Sequence, residues 1–350
     1  MPVALSYRRH LGWGVTLAAF AFGLVWVVFL ADRPAHSDPT AFFSTLLDAI
    51  TQGALYFVVA SGFTLVFGLM RVVNMAHGSL YLVAAYVAID VQRRIITGNP
   101  DTTVSSTQVS VINWFVVLLV AALVAGLLGL VMQQAFLRWN QGQDLRQALI
   151  TIAISVIVAD QVVVHTGGGV AEDMSFPGRI NQFVDLHVKG FSYSGARLFI
   201  LGLALFIGLA LWLWLKRTRT GMVIRAGVDD RAMVAALGVN IQRVFAIAFF
   251  VGSMLAGIGA VIGTSQTAVS NGTDGIWLLN SLVVVIIGGM GSLAGAAVGS
   301  MLYGLIGTFS AAYLPAGNTQ YAVIFTFVLL AIVLAVRPYG IFGTHRIERV

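Results

Sequence analysis

The most informative shortages in this sequence are of charge and of cysteine. Only 10% of the 350 residues are charged, whereas an ordinary soluble domain carries about 25%. Because so few charges cannot keep a protein surface polar, most of the surface is expected to face lipid. The chain contains no cysteine, which excludes disulfides, thiolate metal sites and cysteine nucleophiles.

Other absences exclude enzymatic classes. The two lysines, Lys189 and Lys216, do not follow a glycine, so the chain has no Walker A loop and is not an ATPase of that class. Four scattered histidines lack the spacing of metal ligands: His10, His36, His187 and His345. We therefore expect no metal, no cofactor and no catalytic residue. The net charge of +6 fits basic loops facing an anionic membrane leaflet better than nucleic-acid binding.

Apolar residues make up 58% of the chain, and the mean hydropathy is +0.90. Segments of about 17 to 25 apolar residues can span a bilayer, and seven runs qualify: 12–30, 46–69, 112–133, 147–164, 198–215, 244–264 and 320–336. Three further pieces are shorter or interrupted by glycine: 73–91, 276–289 and 292–310. This pattern predicts an all-α membrane protein, a polytopic bundle of about eight to ten transmembrane segments, some of them glycine-broken or re-entrant.

The positions of the basic residues predict the orientation. If both termini are cytoplasmic and all ten pieces cross, 14 of the 20 Lys and Arg residues lie on the cytoplasmic side, as the positive-inside rule expects. Arg93 and Arg94 are the weakest point of this topology. Residues 1–41 are interpreted as a retained transmembrane helix and loop, with a signal anchor as the alternative, and residues 344–350 as a cytoplasmic tail.

Two polar segments interrupt the apolar pattern. Residues 166–196 alternate polar and apolar side chains and carry turn residues, so we expect a small extracytoplasmic cap of strands and turns. Residues 216–243 form the largest cytoplasmic loop. Within that loop, Asp229 or Asp230 can cap a short helix and Gly238 suits the position just past its end.

The short helix predicted in this loop has a small apolar stripe of Met233, Ala236 and Leu237. A helix of about two turns is marginal alone in water, so it should dock against something. One interpretation is that it packs against its own transmembrane bundle. The other is that it seats in a cleft of a separate cytoplasmic subunit.

Polar residues also interrupt the apolar stretch 46–91. Asn74 and His77 are three positions apart and would share a face of a helix, and Gly68 and Gly78 flank them. Polar groups at membrane depth usually face the bundle interior or a watery cavity. The stretch therefore predicts a helix break beside a pathway, with a purely structural bridge between helices as the alternative.

The second half contains a loose counterpart of that stretch. Gly288, Gly289 and Gly291 interrupt the run 282–309, and small residues every four positions form contact faces of the GxxxG type. One glycine-interrupted segment in each half is typical of internally repeated transporters, and an inverted repeat is one interpretation. Close packing of ordinary helices is the other.

Three rival classes fit the sequence less well. Ser61 with His77 suggests an intramembrane serine protease, but the glycine two residues before the serine of such enzymes is absent. An ion-coupled carrier needs buried carboxylates, and the nearest candidates lie near helix ends: Asp48, Asp90 and Asp160. A stand-alone urea or ammonia channel would not need a capped two-turn helix in a basic loop.

Four stretches together resemble a known family: "GFTLVFGLMRVVNMAHGSLYLVAAYVA", "RTRTGMVIRAGVDDRAMVAALGVNIQRVFAIAFFVGSMLAGIGAVIG", "VVVIIGGMGSLAGAAVGSMLYGL" and "VLAVRPYGIFG". In this order they are similar to the LivH-type permeases of ATP-binding-cassette importers for branched-chain amino acids. The resemblance runs from about residue 46 to 343, which makes 42–343 the permease domain. Urea and short-amide permeases belong to the same family, so the alternative cargo is urea or an amide.

The resemblance implies a multi-pass permease of the bacterial inner membrane. Its partners would be a homologous LivM-type permease, two cytoplasmic ATPase subunits and a periplasmic solute-binding protein. The motif implied to contact the ATPase comprises Asp229, Asp230, Arg231, Met233, Ala235, Ala236, Leu237, Gly238 and Asn240. We place the translocation pathway near the glycine-broken segments, with these candidate residues: Ser61, Thr64, Asn74, His77, Gly78, Asn280, Gly288 and Gly289.

Overall fold

The computed structural model describes residues 39–70, 73–100, 102–166, 172–185, 192–229, 231–315 and 317–343. The helix expected at 12–30 and the tail at 344–350 lie outside these residues. The described chain forms eleven α-helices: α1 Pro39–Met70, α2 His77–Thr97, α3 Val111–Met132, α4 Asp144–Thr166, α5 Gly195–Arg217, α6 Arg219–Asp229, α7 Arg231–Ala236, α8 Ile241–Thr264, α9 Thr273–Gly288, α10 Leu293–Tyr313 and α11 Ala322–Val336.

The polytopic all-α fold is confirmed. By length and composition, seven helical segments of the described residues can cross a membrane, and they contain α1, α3, α4, α5, α8, α10 and α11. Helix α9, with 16 residues, is about 24 Å long and falls short of a hydrocarbon core of about 30 Å. Helix α2 is long enough but carries charged residues in its last turns. Each apolar run predicted within the described residues corresponds to a helix.

The described chain divides into two compact units. The central unit holds residues 55–282, and the terminal unit holds the described residues up to Ala54 together with those from Val283 onward. In the central unit, α8 packs against α2 and α3, and most of its side chains are buried. A helix that is apolar all round is expected at such a central position.

The terminal unit contains a tight turn between α9 and α10. Ser292 caps α10 by accepting a hydrogen bond from the backbone N–H of Gly295, at 3.0 Å. A Cβ atom on Gly288 would collide with the backbone of Gly295, so glycine permits the close contact of the two helices. The backbone N–H groups of Ile341 and Phe342 donate to the carbonyls of Ile287 and Gly288, both at 2.9 Å, so these two carbonyls at the C-terminal end of α9 are paired.

The strands expected within 166–196 are present. Strand β1, Phe183–Asp185, pairs antiparallel with β2, Ser192–Ser194. The preceding segment 172–178 is tied to the rest of the central unit by backbone bonds, including a bridge between Glu172 and Val269. These ties make 172–185 and 192–194 part of a folded cap over the ends of α2 and α8.

Candidate functional site

The predicted helix break lies between α1 and α2. Helix α1 ends at Met70, and α2 begins at His77. Asn74 is 4% exposed, and its Oδ1 accepts a hydrogen bond from the backbone N–H of Ala76 at 3.1 Å. Asn74 therefore stabilises the turn that precedes α2, so Asn74 and His77 do not share one helical face.

His77 connects the start of α2 to the middle of α1. Its side chain is 1% exposed, and its Nε2 lies 3.2 Å from the carbonyl oxygen of Val59. Because a carbonyl only accepts, Nε2 is the donor and carries the proton. The ring also makes an edge contact with Phe63, with 5.4 Å between centroids. Among the described residues, Nδ1 has no hydrogen-bond partner.

Gly78 brings α2 against the first turn of α9. A Cβ atom at this position would collide with the carbonyl oxygen of Asp274, and it would also crowd Leu278. Only glycine allows the two backbones to approach this closely. The helix break and the beginning of α9 therefore form one packed region of the central unit.

A line of polar contacts joins α4 to the helix break. The backbone N–H of Met75 donates to Thr151 Oγ1 at 3.2 Å, and the hydroxyls of Ser79 and Ser155 lie 2.7 Å apart. Thr151 is 1% exposed. Sequence reasoning missed these α4 residues, although the four-residue spacing from Thr151 to Ser155 places them on one helical face.

The remaining pathway candidates occupy several places. Ser61 is fully buried and donates to the carbonyl of Val58 within its own helix, at 2.8 Å. Thr64 is also buried, and none of the described hydrogen bonds joins it to Asn74 or His77. Asn280 is half-buried in the part of α9 that belongs to the central unit. Gly288 and Gly289 belong to the terminal unit, where Gly289 has a φ of 103°.

The short helix predicted in the loop 216–243 is present as α7. It is closed by Gly238, which has a φ of 82° and donates its backbone N–H to the carbonyl of Ala235 at 2.9 Å. The N–H of Val239 donates to the carbonyl of Val234 at 3.3 Å. These two bonds make a Schellman motif, in which a left-handed glycine satisfies the last helical carbonyls. Gly238 therefore stands at the predicted position.

Of the two residues predicted to cap α7, Asp229 and Asp230, the first does not stand at the capping position. Asp229 is the last residue of the preceding helix α6, so it does not stand immediately before α7. Asp230 lies outside the described residues, and Arg231 begins α7. Asn240 caps the following helix α8 by accepting the backbone N–H of Arg243 at 3.2 Å.

Helix α7 presents apolar side chains to its surroundings. Met233 is 59% exposed and Leu237 is 75% exposed, and Ala235 and Ala236 are exposed beside them. Val234, by contrast, is 5% exposed and holds the helix against the protein. We call the exposed set Met233, Ala236 and Leu237 the α7 stripe.

Sequence reasoning missed helix α6. Thr218 caps it by accepting the N–H of Gly221 at 3.0 Å, and Ile224, 1% exposed, is its buried anchor. The buried positions Gly221, Ile224 and Gly227 have a spacing that could have revealed an amphipathic helix.

Ile224 belongs to a continuous apolar cluster in the central unit. The cluster joins the end of α1, the start of α2, the end of α3 and the first half of α8, with these buried members: Leu65, Val66, Met70, Ala76, Leu80, Met132, Leu137, Ile224, Val244, Phe245, Ala248 and Phe249. Val239, just after α7, packs against it. The α6–α7 region and the helix break therefore share one packed core.

Comparison with known proteins agrees with this architecture. The sequence model of a family described as "Branched-chain amino acid transport system / permease component" matches residues 45–334. The high-affinity branched-chain amino acid permease LivH of Escherichia coli K12 is 28% identical over 317 residues, which cover 88% of this chain and 98% of LivH. The permease BraD of Pseudomonas aeruginosa is 27% identical over 307 residues, covering 87% and 97%.

A more distant relative comes from an archaeon. The probable LivH of Methanocaldococcus jannaschii is 20% identical over 303 residues, covering 84% of this chain and 90% of the relative. The family match spans most of the described helices, including the helix break and the α6–α7 region. The chain therefore belongs to the family of permease components of branched-chain amino acid transport systems.

Proposed function

We propose that this chain is the membrane permease subunit of an ATP-binding-cassette importer that carries branched-chain amino acids into the cell. Two cytoplasmic ATPase subunits hydrolyse ATP, and a second permease of the LivM type completes the membrane channel. A solute-binding protein delivers the cargo from outside. The permease itself supplies a path with two arrangements and performs no chemistry.

The observation that carries the proposal is the α7 stripe. An isolated two-turn helix is unstable in water, yet α7 is closed by a Schellman motif and anchored through Val234. It nevertheless exposes Met233 and Leu237. The α7 stripe is an exposed apolar surface on a firmly held helix, within a loop that is otherwise basic and polar. Such a surface is suited to docking into a groove of another protein. The ATPase subunit is the partner that such an importer supplies on this side.

The shared apolar cluster supports a route by which force reaches the pathway. Displacement of α7 moves Val239 and the neighbouring α6, whose Ile224 is packed against the ends of α1 and α3 and the start of α2. Close-packed elements transmit such shifts because their interior is nearly incompressible. This displacement would reach the helix break at Asn74 and His77. Two alternative packings of that region would open the path to one side of the membrane and then to the other.

The cargo follows from the relatives. The names of LivH and BraD specify branched-chain amino acids, and the family description does the same. The pathway candidates Ser61, Thr64 and Asn74 carry hydroxyl and amide groups rather than formal charges, so contacts with the cargo would be weak enough to allow release.

The orientation we propose places both termini in the cytoplasm of a bacterial inner membrane. Arg93 and Arg94 oppose that orientation in the sequence. In the structure, Arg93 pairs with Glu172 at 3.0 Å, and Arg94 pairs with Asp90 at 2.7 Å. These ion pairs compensate the two charges in the folded protein, but the positive-inside rule counts Lys and Arg rather than net charge, so the proposed orientation rests on the 14 basic residues of the cytoplasmic side.

The test is reconstitution of the complete importer in proteoliposomes. We expect uptake of labelled leucine only with ATP, both ATPase subunits, the second permease and the loaded binding protein. Isoleucine and valine should compete, and urea and acetamide should not. Full-rate uptake by this chain alone would contradict the importer, and competition by urea without competition by valine would contradict the cargo.

A further inference from the structure

The cap of the central unit is held rigidly on the end of α2. Gln92, 2% exposed, uses both ends of its amide on the backbone of Ser175, at 2.8 and 3.0 Å. The backbone N–H of Met174 donates to the carbonyl of Thr264 at 3.2 Å. Amide and backbone contacts thus fix residues 172–178, here called the strap, over the ends of two helices.

A cavity of about 750 Å³ opens beside this strap, with apolar side chains such as Val109 and Ile112 in its lining as well as polar ones. One wall is the loop that enters α3, and the other is the turn 178–182; the two are joined by the N–H of Gly178 donating to the carbonyl of Ser106 at 2.9 Å. Hydroxyl, amide and guanidinium groups are prominent in the lining: Ser106, Gln108, Ser110, Arg179, Asn181 and Gln182. The lining includes no carboxylate.

Arg179 gives this cavity a positive charge. The two other arginines at this end of α2, Arg93 and Arg94, each pair with a carboxylate. Arg179 is exposed and takes part in none of the salt bridges of the described residues. A guanidinium flanked by amides and hydroxyls is the arrangement that recognises a carboxylate or a phosphate.

An exposed apolar hairpin adjoins the cavity. Gln182 lines the cavity, and its carbonyl accepts the N–H of Gly195 at 2.9 Å, which ties the cavity wall to the base of the hairpin. Phe183, the next residue, is 75% exposed, and Val184 is 44% exposed. Arg and aromatic residues are enriched in protein–protein contact sites, and Phe183 follows Arg179 four positions later in the chain. This favours a protein surface over a lipid headgroup.

We propose that the Arg179 cavity is the receiving site for an acidic side chain of the solute-binding protein, with Phe183 covered by the same docked surface. The proposal rests on the proposed function, which supplies this partner. The acidic group enters between Gln108 and Asn181 and pairs with Arg179. Docking of the loaded binding protein is thereby aligned over the cap.

The test measures the affinity of the leucine-loaded binding protein for the complete importer in nanodiscs. For Arg179→Gln we expect affinity to fall about tenfold and to lose most of its dependence on salt, since an interfacial charge acts through steering and pairing. Arg179→Lys, which keeps the charge, should recover most of the loss. Arg94→Gln is the matched control, because that exposed arginine is already paired with Asp90. The binding protein should bind the Arg94→Gln importer as tightly as it binds the wild-type importer.

Three results would overturn the proposal. One is an affinity for Arg179→Gln within twofold of wild type. Another is an equal loss for Arg94→Gln. The third is a defect that disappears when the nanodisc lipid is phosphatidylcholine without anionic lipid, because the cavity would then hold a lipid phosphate. If wild-type importer takes up no leucine under any condition, the proposed function itself fails, so the two failures are distinguishable.

Discussion

Single polar residues around the helix break are held mainly by backbone groups. Asn74 accepts from the backbone of Ala76, and His77 donates to the backbone of Val59. Thr151 receives the backbone N–H of Met75. In a region with little water, unpaired backbone groups cost several kcal/mol. These side chains therefore stabilise a non-helical turn that would otherwise be unfavourable at membrane depth.

At Gly78, even the addition of one methyl group should destabilise the protein. Gly78→Ala places a methyl group against the carbonyl of Asp274, which forces α2 and α9 apart and costs about 1–3 kcal/mol. We expect the melting temperature of the purified protein to fall by several degrees. The matched control is Gly275→Ala, because a Cβ atom there meets nothing within 4 Å; an equal loss for the control would contradict the packing argument.

Substitution of His77 tests the prediction that the helix break also lines the pathway. His77→Ala removes the bond to Val59 and the contact with Phe63, at a cost of about 2 kcal/mol or more. If His77 faces the cargo, leucine uptake per folded molecule should fall and the leucine-to-valine preference should change. Unchanged uptake per folded molecule would leave only the structural role. His165→Ala, an exposed histidine near the end of α4, serves as control.

At the scale of elements, α7 is a short helix whose stability comes from its surroundings. Its six residues are held by the Gly238 closure and by the burial of Val234, while α6 beside it is anchored by Ile224. The two helices therefore move with the core of the central unit. This makes α7 suitable as the contact through which an ATPase acts.

Leu237→Glu should uncouple ATP hydrolysis from uptake. A charge replaces the most exposed apolar residue of the α7 stripe, and loss of an interface anchor typically costs at least about tenfold in affinity. We expect leucine uptake to fall by that factor while the amount of membrane-inserted protein stays constant. Leu237→Met preserves an apolar side chain and should retain most of the uptake. Normal uptake by Leu237→Glu would refute the coupling role.

At the scale of the whole molecule, the distribution of charge and the absence of cysteine allow a direct test of orientation. The basic residues favour α7 on the cytoplasmic side and the β1–β2 hairpin outside. Leu237, directly after α7, and Phe183, in β1, are each 75% exposed.

Single cysteines at these two positions should react from opposite sides of the membrane. Because the natural chain has no cysteine, the unsubstituted protein provides a background without labelling. Phe183→Cys should react with an impermeant maleimide in intact cells. Leu237→Cys should react only in inside-out vesicles. The reverse pattern, or reaction of both from one side, would contradict the proposed topology.

Composition and local chemistry determined much of this protein. The shortage of charge predicted lipid exposure, and the apolar runs predicted the helices. Turn residues predicted the strands of the cap. The polar residues near Asn74 predicted the helix break, and Gly238 predicted the end of α7. These features depend on a residue and its near neighbours, because hydropathy, left-handed glycine and capping act over a few positions.

Tertiary structure alone decided which distant groups meet. Met75 and Thr151 are 76 positions apart, and Arg93 is neutralised by Glu172 only because the strap folds back over α2. Val234 and Met233 are apolar neighbours in α7, so hydropathy does not distinguish them. The tertiary structure buries Val234 and leaves Met233 exposed. Such pairings depend on how helices pack, and packing is set by shape and volume across the whole core, which no local pattern encodes.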